Sequence, residues 1–211
     1  MKKIDKNTLK ENASKFHEFW DSIDTPLKTK ILTDSLDSTG HASTKTLETV
    51  FLGIKPCTII DIPNEIVTKF GLESKNGYLF NRKLVEKIIK ENSDIFGKDT
   101  VDDVFDYFKK TELELDYPDS DKNFRIKRGL ILGFPRGACE TFLEESNTRK
   151  QVFGVGDAII WTSFADDEDS LIVAKRLNKM YEDSGITTQK YQAVNYPPTN
   201  FIKVQTKSTR F

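Results

Sequence analysis

Hydrophobic residues recur at spacings of three and four through most of the first half of the chain, which is the period of an amphipathic helix. In the first such segment the pattern is carried by Leu9, Ala13, Phe16, Trp20 and Ile23. Asn7 precedes that segment and is its predicted N-cap. Similar patterns, each with a residue suited to a helix start, predict helices near Thr25, Thr44, Pro63, Asn81 and Thr100. The first half is therefore predicted to be mainly helical.

Three shorter stretches of the same half have the pattern of strands. Residues 57–62 are rich in β-branched side chains, which favour strands. Residues 78–80 follow Asn76-Gly77, the dipeptide that most strongly favours a two-residue hairpin turn. In residues 113–117 apolar side chains alternate with acidic ones, which predicts a half-buried strand.

The pattern changes after the polar stretch 118–123, which is the best candidate for a linker. Beyond it we predict helices at 135–145 and 167–183 and strands at 157–164, 187–194 and 201–205. The predicted fold class is α+β, with a helix-rich N-terminal half followed by a small mixed sheet with covering helices. Residues 1–117 would form a mainly helical region with a short hairpin and residues 118–211 an α/β region. The alternative is that the two regions are one continuous domain.

Composition and charge exclude several classes of protein. The chain has 15 Phe and is 37% hydrophobic, so it is expected to fold around a core. Its net charge of −1 does not fit a strongly basic nucleic-acid binder. The two cysteines lie in apolar runs and are expected to be reduced and buried. We find no signal peptide and no apolar run of membrane-spanning length, so the predicted location is the cytoplasm, without a membrane partner.

The strongest candidate site is the segment from Gly129 to Glu140, in which Gly133 and Gly137 let the backbone approach another group closely. Pro135 favours a helix start and places Arg136 at its beginning, where free N–H groups and the helix dipole attract anions. A cation is disfavoured at that position, which points to a functional reason for it. The alternative is that the glycines permit close helix packing and that Arg136 pairs with a carboxylate.

Two weaker candidates are catalytic. Cys139 lies near the same predicted helix start, where the pKa of a thiol falls and more thiolate forms. His41 follows Gly40 in a predicted loop and is the freer of the two histidines to act as its base. The alternative for Cys139 is simple burial beside Ala138, because both lie on the apolar side of the helix. Whether the protein is an enzyme stays open.

Two further charged groups are candidates for ligand contacts. Arg82 and Lys83 lie in the first turn of a predicted helix, where they are unfavourable to the dipole and suited to holding a phosphate or carboxylate. They could equally be a solvated pair of charges. Asp166 and Asp167 follow a predicted strand and are weak candidates for a Mg²⁺ site, with helix capping as the stronger alternative.

Function is therefore predicted only as a class. The leading hypothesis is that the chain binds a small anionic ligand or substrate near residues 129–140. The alternative is a nucleic-acid-binding or protein-interaction module, because the chain after Asp183 carries Lys190, Lys203, Lys207 and Arg210 and no acidic residue. No motif in the sequence identifies a cofactor, and the pattern does not give an oligomeric state.

Overall fold

Most of the amphipathic segments of the first half form helices in the computed structural model, which describes residues 4–34, 41–116, 118, 121–141, 150–155, 159–164, 168–186 and 190–192. The α-helices among all the described residues are α1 (Lys6–Ser22), α2 (Thr25–Asp34), α3 (Lys45–Phe51), α4 (Asn64–Val67), α5 (Arg82–Glu91), α6 (Ser93–Phe96), α7 (Val101–Glu114), α8 (Lys122–Ile131), α9 (Arg136–Thr141) and α10 (Glu168–Ser184). The strands are β1 (His41–Ser43), β2 (Cys57–Ile59), β3 (Glu73–Lys75), β4 (Tyr78–Phe80), β5 (Lys150–Val155), β6 (Ile159–Phe164) and β7 (Lys190–Gln192). The predicted helix-rich α+β class is confirmed.

Polar side chains at the helix starts explain why several of these helices begin where they do. Asn81 accepts a hydrogen bond from the third residue of α5, and Thr100 and Asp103 form a reciprocal capping box at α7. Both starts were predicted. The predicted cap of α1 is wrong, since Asp5 accepts from the backbone N–H of Asn7 and Thr8 at 3.0 Å each. Asn7 lies inside that helix because the aspartate two residues earlier already caps it.

A three-stranded antiparallel sheet with the order β2-β4-β3 lies in the first half of the chain. The predicted hairpin between β3 and β4 is confirmed: Asn76 and Gly77 turn the chain with φ of 55° and 82°. The central strand is buried along its whole length. Tyr78 and Phe80 pack into one hydrophobic cluster and Leu79 into another, because successive side chains of a strand point to opposite faces.

The core consists of these two clusters. Cluster 1 contains side chains of α1, α3 and α10, among them Phe16, Phe19, Leu47, Leu177 and Met180. Cluster 2 contains side chains of α5, α7 and α8, among them Val85, Phe105, Phe108, Phe124 and Ile131. Both clusters combine residues from before and after the polar stretch at 118–123. The clusters meet at Phe134, which packs against each of them.

One expectation beside this polar stretch is wrong, while the linker itself stays a prediction. The strand predicted at 113–117 begins inside α7, which continues through Glu114, and the Leu113 side chain is 73% exposed. The alternating apolar and acidic residues there begin in the exposed last turn of α7. The capping box at the start of this helix stabilises it. The stretch 118–123 contains the start of α8, where Asp121 accepts from Phe124 N–H at 2.7 Å. Its polar residues supply that helix cap.

The second half contains further strands, and every strand pairing among the described residues is antiparallel. The predicted strand at 157–164 is present as β6, paired with β5, for which we had predicted no strand. The strand predicted at 187–194 contains β7, which pairs with β1 from the first half of the chain. The predicted strand at 201–205 lies outside the described residues. No helix in the described part of the chain is long and apolar enough to cross a membrane.

Candidate anion-binding cavity

A cavity of about 190 Å³ lies where the two clusters meet. Its apolar wall includes Ile54 and Leu177 of cluster 1 and Ile88 and Leu130 of cluster 2. Its polar residues, among those the structure describes, are Lys55, Lys87, Glu91, Asn92, Arg136 and Arg176. Four of these six carry a positive charge and one a negative charge. The wall thus combines an apolar surface with an excess of cations.

The end of α3 places Lys55 in this wall. Gly53 turns the chain with φ of 71°, and Ile54 N–H donates to the Thr49 carbonyl at 3.0 Å, as in the turn that closes many helices. Lys55 N–H donates to the same carbonyl at 2.9 Å. Pro56 then prevents the helix from continuing. Lys55 is therefore held by the backbone on both sides, between the last turn of the helix and the first strand of the sheet.

The end of α8 forms the facing wall in the same way. Gly133 has φ of 87°, and Phe134 N–H donates to the Gly129 carbonyl at 3.0 Å. A Cβ at Gly133 would lie 2.8 Å from Pro56 Cδ, so only glycine allows this close approach. The approach brings the Phe134 ring to 5.9 Å from the Lys55 ammonium nitrogen. Two glycine-ended helices thus meet at Lys55.

The ammonium group of Lys55 is electrostatically unusual. The residue is only 6% exposed, and burial lowers the pKa of its side chain to about 8. Within the described part of the chain no carboxylate forms an ion pair with it. The face of the Phe134 ring attracts a cation weakly at this distance. A buried charge without a counterion is costly, so this group favours either a bound anion or its own neutral form.

Two other cations of the cavity already have carboxylate partners. Lys87 pairs with Glu91 one helical turn away at 3.4 Å. Arg136 pairs with Asp94 at 2.7 Å and with Glu140 at 2.9 Å, and its side chain is 45% exposed. The hydrogen bond from Arg136 holds the pKa of the Asp94 carboxyl below its usual value. Lys87 and Arg136 therefore contribute less net charge to the cavity than their number suggests.

The ligand-binding residues predicted from the sequence fall in two places. Gly133 and Arg136 line the cavity, whereas Gly137 is exposed in α9 and is absent from its lining. Arg82 lies elsewhere, with bonds of 2.7 Å to both carboxylate oxygens of Glu73. It also bonds Asp102 at 3.2 Å. The structure therefore brings part of the 129–140 segment to a cavity and does not bring Arg82 there.

Lys83 is exposed on α5 and does not line the cavity, although the later residues of the same helix do. The cavity's polar residues also include Lys55, Lys87 and Arg176, for which the sequence pattern predicts no role. One signal for Lys55 was present in the sequence: it is the only charged residue between Val50 and Ile60.

The remaining sequence candidates are placed as follows. Cys139 is buried in cluster 2, and burial raises the pKa of its thiol to about 12, so the thiol form dominates at neutral pH. Its sulfur would lie 2.7 Å from a Cβ at Gly129, which indicates packing between α8 and α9. His41 is in β1, opposite Gln192, and its side chain lies outside the described residues.

The metal candidates Asp166 and Asp167 also lie outside the described residues. Among the side chains that the structure does describe, no group of three or more His, Cys, Asp or Glu is placed to hold a metal ion. The basic C-terminal stretch is described only at Lys190–Gln192, as the backbone of β7. Its role in nucleic-acid or protein binding therefore stays a prediction.

A larger groove of about 670 Å³ runs between the end of α1 and α4. Its charged residues are of both signs: Asp24, Glu65, Lys30 and Lys69. Lys30 already pairs with Asp34 at 3.1 Å. This groove therefore does not select a ligand by charge, and the smaller cavity is the better candidate site.

Comparison with known proteins gives no relative from which a role could be transferred: no family model matches the chain, and neither a curated protein nor a solved structure does.

Proposed function

We propose that the protein binds a small organic anion in the cavity between the two clusters, with the Lys55 ammonium group as its main cationic contact. The observation that carries the proposal is the buried lysine that lines a cavity and has no carboxylate partner among the described residues. Charges buried in proteins are normally paired, because desolvation is costly. A bound carboxylate or phosphate supplies the missing partner.

The size of the cavity limits the ligand. A cavity of about 150 Å³ in another protein accommodates benzene. At about 190 Å³ this cavity has room for a molecule slightly larger than that, of roughly six to eight heavy atoms. The apolar wall favours a ligand with a short alkyl part, and the cations favour one charged group. A whole nucleotide exceeds this volume and would project from the open side of the cavity.

The role of Arg136 in this proposal is secondary. Its guanidinium group is half-exposed and already bonded to Asp94 and Glu140, so it has less to gain from a ligand than Lys55. We expect Arg136→Met to weaken binding and Lys55→Met to abolish it. This order is the opposite of what the sequence alone favoured, where Arg136 was the leading residue of the segment.

The test is calorimetric titration with two ligands of the same shape, butyrate and butyramide, of which only the first is charged. Wild-type protein should bind butyrate and not butyramide, and Lys55→Met should bind neither. The matched control is Lys109→Met, which removes an exposed lysine of α7 that does not line the cavity and should bind as wild type. Equal affinity for the acid and the amide, or unchanged binding by Lys55→Met, would rule out the proposal.

The pH dependence provides a second readout. A bound anion favours the protonated lysine, and the free protein releases that proton near pH 8. Affinity for butyrate should therefore be constant below pH 8 and fall by about tenfold per pH unit above it. Affinity that does not change between pH 7 and pH 9.5 would show that Lys55 is not the contact.

A further inference from the structure

We propose that the Lys55 side-chain amine forms an imine with a short 2-oxo acid in this cavity, so that the site acts on a carbonyl compound and does more than hold an anion. The inference rests on the proposed function and names the ligand class for the same site. A 2-oxo acid carries a carboxylate directly next to its carbonyl carbon. One small molecule thus carries both the anionic group that the cavity favours and the carbonyl group with which an amine reacts.

The surroundings of Lys55 are those in which lysines act as nucleophiles. The amine is desolvated in the wall of an apolar cavity, a condition that activates a lysine for attack on a carbonyl. The charged groups that line the cavity beside it are Lys87 and Glu91 from α5, Arg136 from α9 and Arg176 from α10. Within the described residues no carboxylate pairs with the amine, so no ion pair has to break before it reacts.

The fraction of reactive amine is much larger than for an ordinary lysine. With a pKa of about 8, roughly a tenth of Lys55 is neutral at pH 7. For an exposed lysine the neutral fraction at that pH is roughly 0.03%. In the free protein this neutral amine is present at pH 7 without a separate base, and the carboxylate of a bound acid lowers its fraction because a nearby anion favours the protonated lysine.

The reaction balances without any redox partner. The neutral Nζ attacks the carbonyl carbon and forms the carbon–nitrogen bond, and a proton moves from nitrogen to oxygen to give the carbinolamine. The hydroxyl group then leaves as water with one added proton, and the carbon–nitrogen double bond forms. The protonated imine keeps one positive charge beside the carboxylate of the ligand. The ion pair that binds the acid is thus formed again once the imine is in place.

Size and wall chemistry restrict the acid. Pyruvate and its four- and five-carbon homologues have six to eight heavy atoms, which is the range that about 190 Å³ allows. The longer members place an alkyl chain against the apolar wall. We therefore expect the four- and five-carbon acids to bind more tightly than pyruvate.

The test is reductive trapping of the full chain with 2-oxobutyrate and cyanoborohydride at pH 7, followed by intact mass and peptide mapping. Cyanoborohydride supplies the hydride that converts the imine to a stable amine. The adduct should raise the mass by that of the acid less one oxygen atom, and it should lie on Lys55. Labelling of Lys55 should be of order 10- to 100-fold faster than labelling of the exposed Lys109 in the same molecule. Equal rates at the two lysines would overturn the inference.

Two controls separate failure of this inference from failure of anion binding. The carbonyl-free analogue 2-hydroxybutyrate should bind, should slow the trapping, and should form no adduct. Lys55→Arg keeps a positive charge but has no amine that forms an imine, so it should bind 2-hydroxybutyrate and give no adduct at residue 55. If both acids bind the wild type and Lys55 stays unlabelled, the imine is excluded and the anion site stands. If neither acid binds and nothing is labelled, both proposals fall.

Discussion

Helix α5 separates two groups of charges that differ in how they are neutralised. At its first residue, Arg82 belongs to a network on the hairpin side, where it bonds Glu73 and Asp102. Lys75 pairs with Asp102 and Asp106 in the same network. On the cavity side of the helix, Lys55 is buried and has no carboxylate partner in the described part of the chain. A cation in an unfavourable position at a helix start, such as Arg82, can thus be fully paired, whereas a cation outside such a position, such as Lys55, can lack a partner among the described residues.

The physical reason is solvent. A cation at an exposed helix start is destabilised only slightly by the helix dipole, and ion pairs with nearby carboxylates offset this destabilisation. A buried ammonium group loses its hydration, which costs more than any single surface contact returns. Arg82 and Arg136 lie in unfavourable helix positions and have carboxylate partners, whereas Lys55 is in no such position and has no carboxylate partner among the described residues. Sequence rules about helix ends therefore identify Arg82 and Arg136 and do not identify Lys55.

The largest effect that sharpens this contrast is on stability. Lys55→Met should raise the free energy of unfolding by about 3 kcal/mol below pH 8, because the folded protein lowers the pKa of this lysine from 10.5 to about 8. Between these pH values the unfolded chain binds more protons than the folded one, so wild-type stability rises with pH. The advantage of the variant should be constant below pH 8 and disappear near pH 10.5.

This difference is measured by urea unfolding of both proteins between pH 6 and pH 9.5. The two buried cysteines stay in both variants, so their own loss of protons in the unfolded chain at high pH cancels in the difference. A variant that is less stable than wild type at pH 7, or a difference that does not change up to pH 9.5, would mean that the ammonium group is compensated in the folded protein.

A smaller effect is expected from the wall that faces Lys55. Gly133→Ala should destabilise the protein by roughly 1–3 kcal/mol, because the new Cβ meets Pro56 and the backbone has a positive φ. Gly71→Ala is the matched control: φ is 77° there, but a Cβ would have nothing within 4 Å. It should cost only the backbone strain, about 1 kcal/mol. Equal losses of stability for the two variants would show that Pro56 moves away from the new Cβ at little energetic cost.

The smallest effect is expected on the hairpin side. Arg82→Met removes a bidentate ion pair whose partners are each about one-third exposed, so the loss should be about 0.5–1 kcal/mol and should shrink in high salt. Lys83→Met, at the next and exposed position, should change stability by a few tenths of a kcal/mol at most. If Arg82→Met costs as much as Gly133→Ala, the network is a structural element of the hairpin and more than a set of surface contacts.

The parts of the fold that could be predicted are those with strong local signals. Asn81 and Thr100 fix helix starts, and Asn76-Gly77 fixes a turn whatever lies around them. Helix α8 and strand β5 were missed because glycine and apolar runs give no clear period there. Their structure depends on their packing partners: β5 pairs with β6, and α8 packs against α9 and against α5, α6 and α7.

The site was predictable only in part for the same reason. Gly133 and Arg136 were found because glycine, proline and a helix-start cation form a local pattern. Lys55 becomes a candidate only when the end of α8 covers it, and that contact joins residues nearly eighty positions apart. The single charged residue between Val50 and Ile60 is the one sequence signal for this contact.

The central strand β4 has a consequence for how the protein unfolds. Tyr78 and Phe80 anchor one hydrophobic cluster and Leu79 the other, within three consecutive residues. Neither cluster can open fully without releasing the strand that the other also needs. The two should therefore melt in a single cooperative transition, with the amide protons of this strand among the last to exchange with solvent.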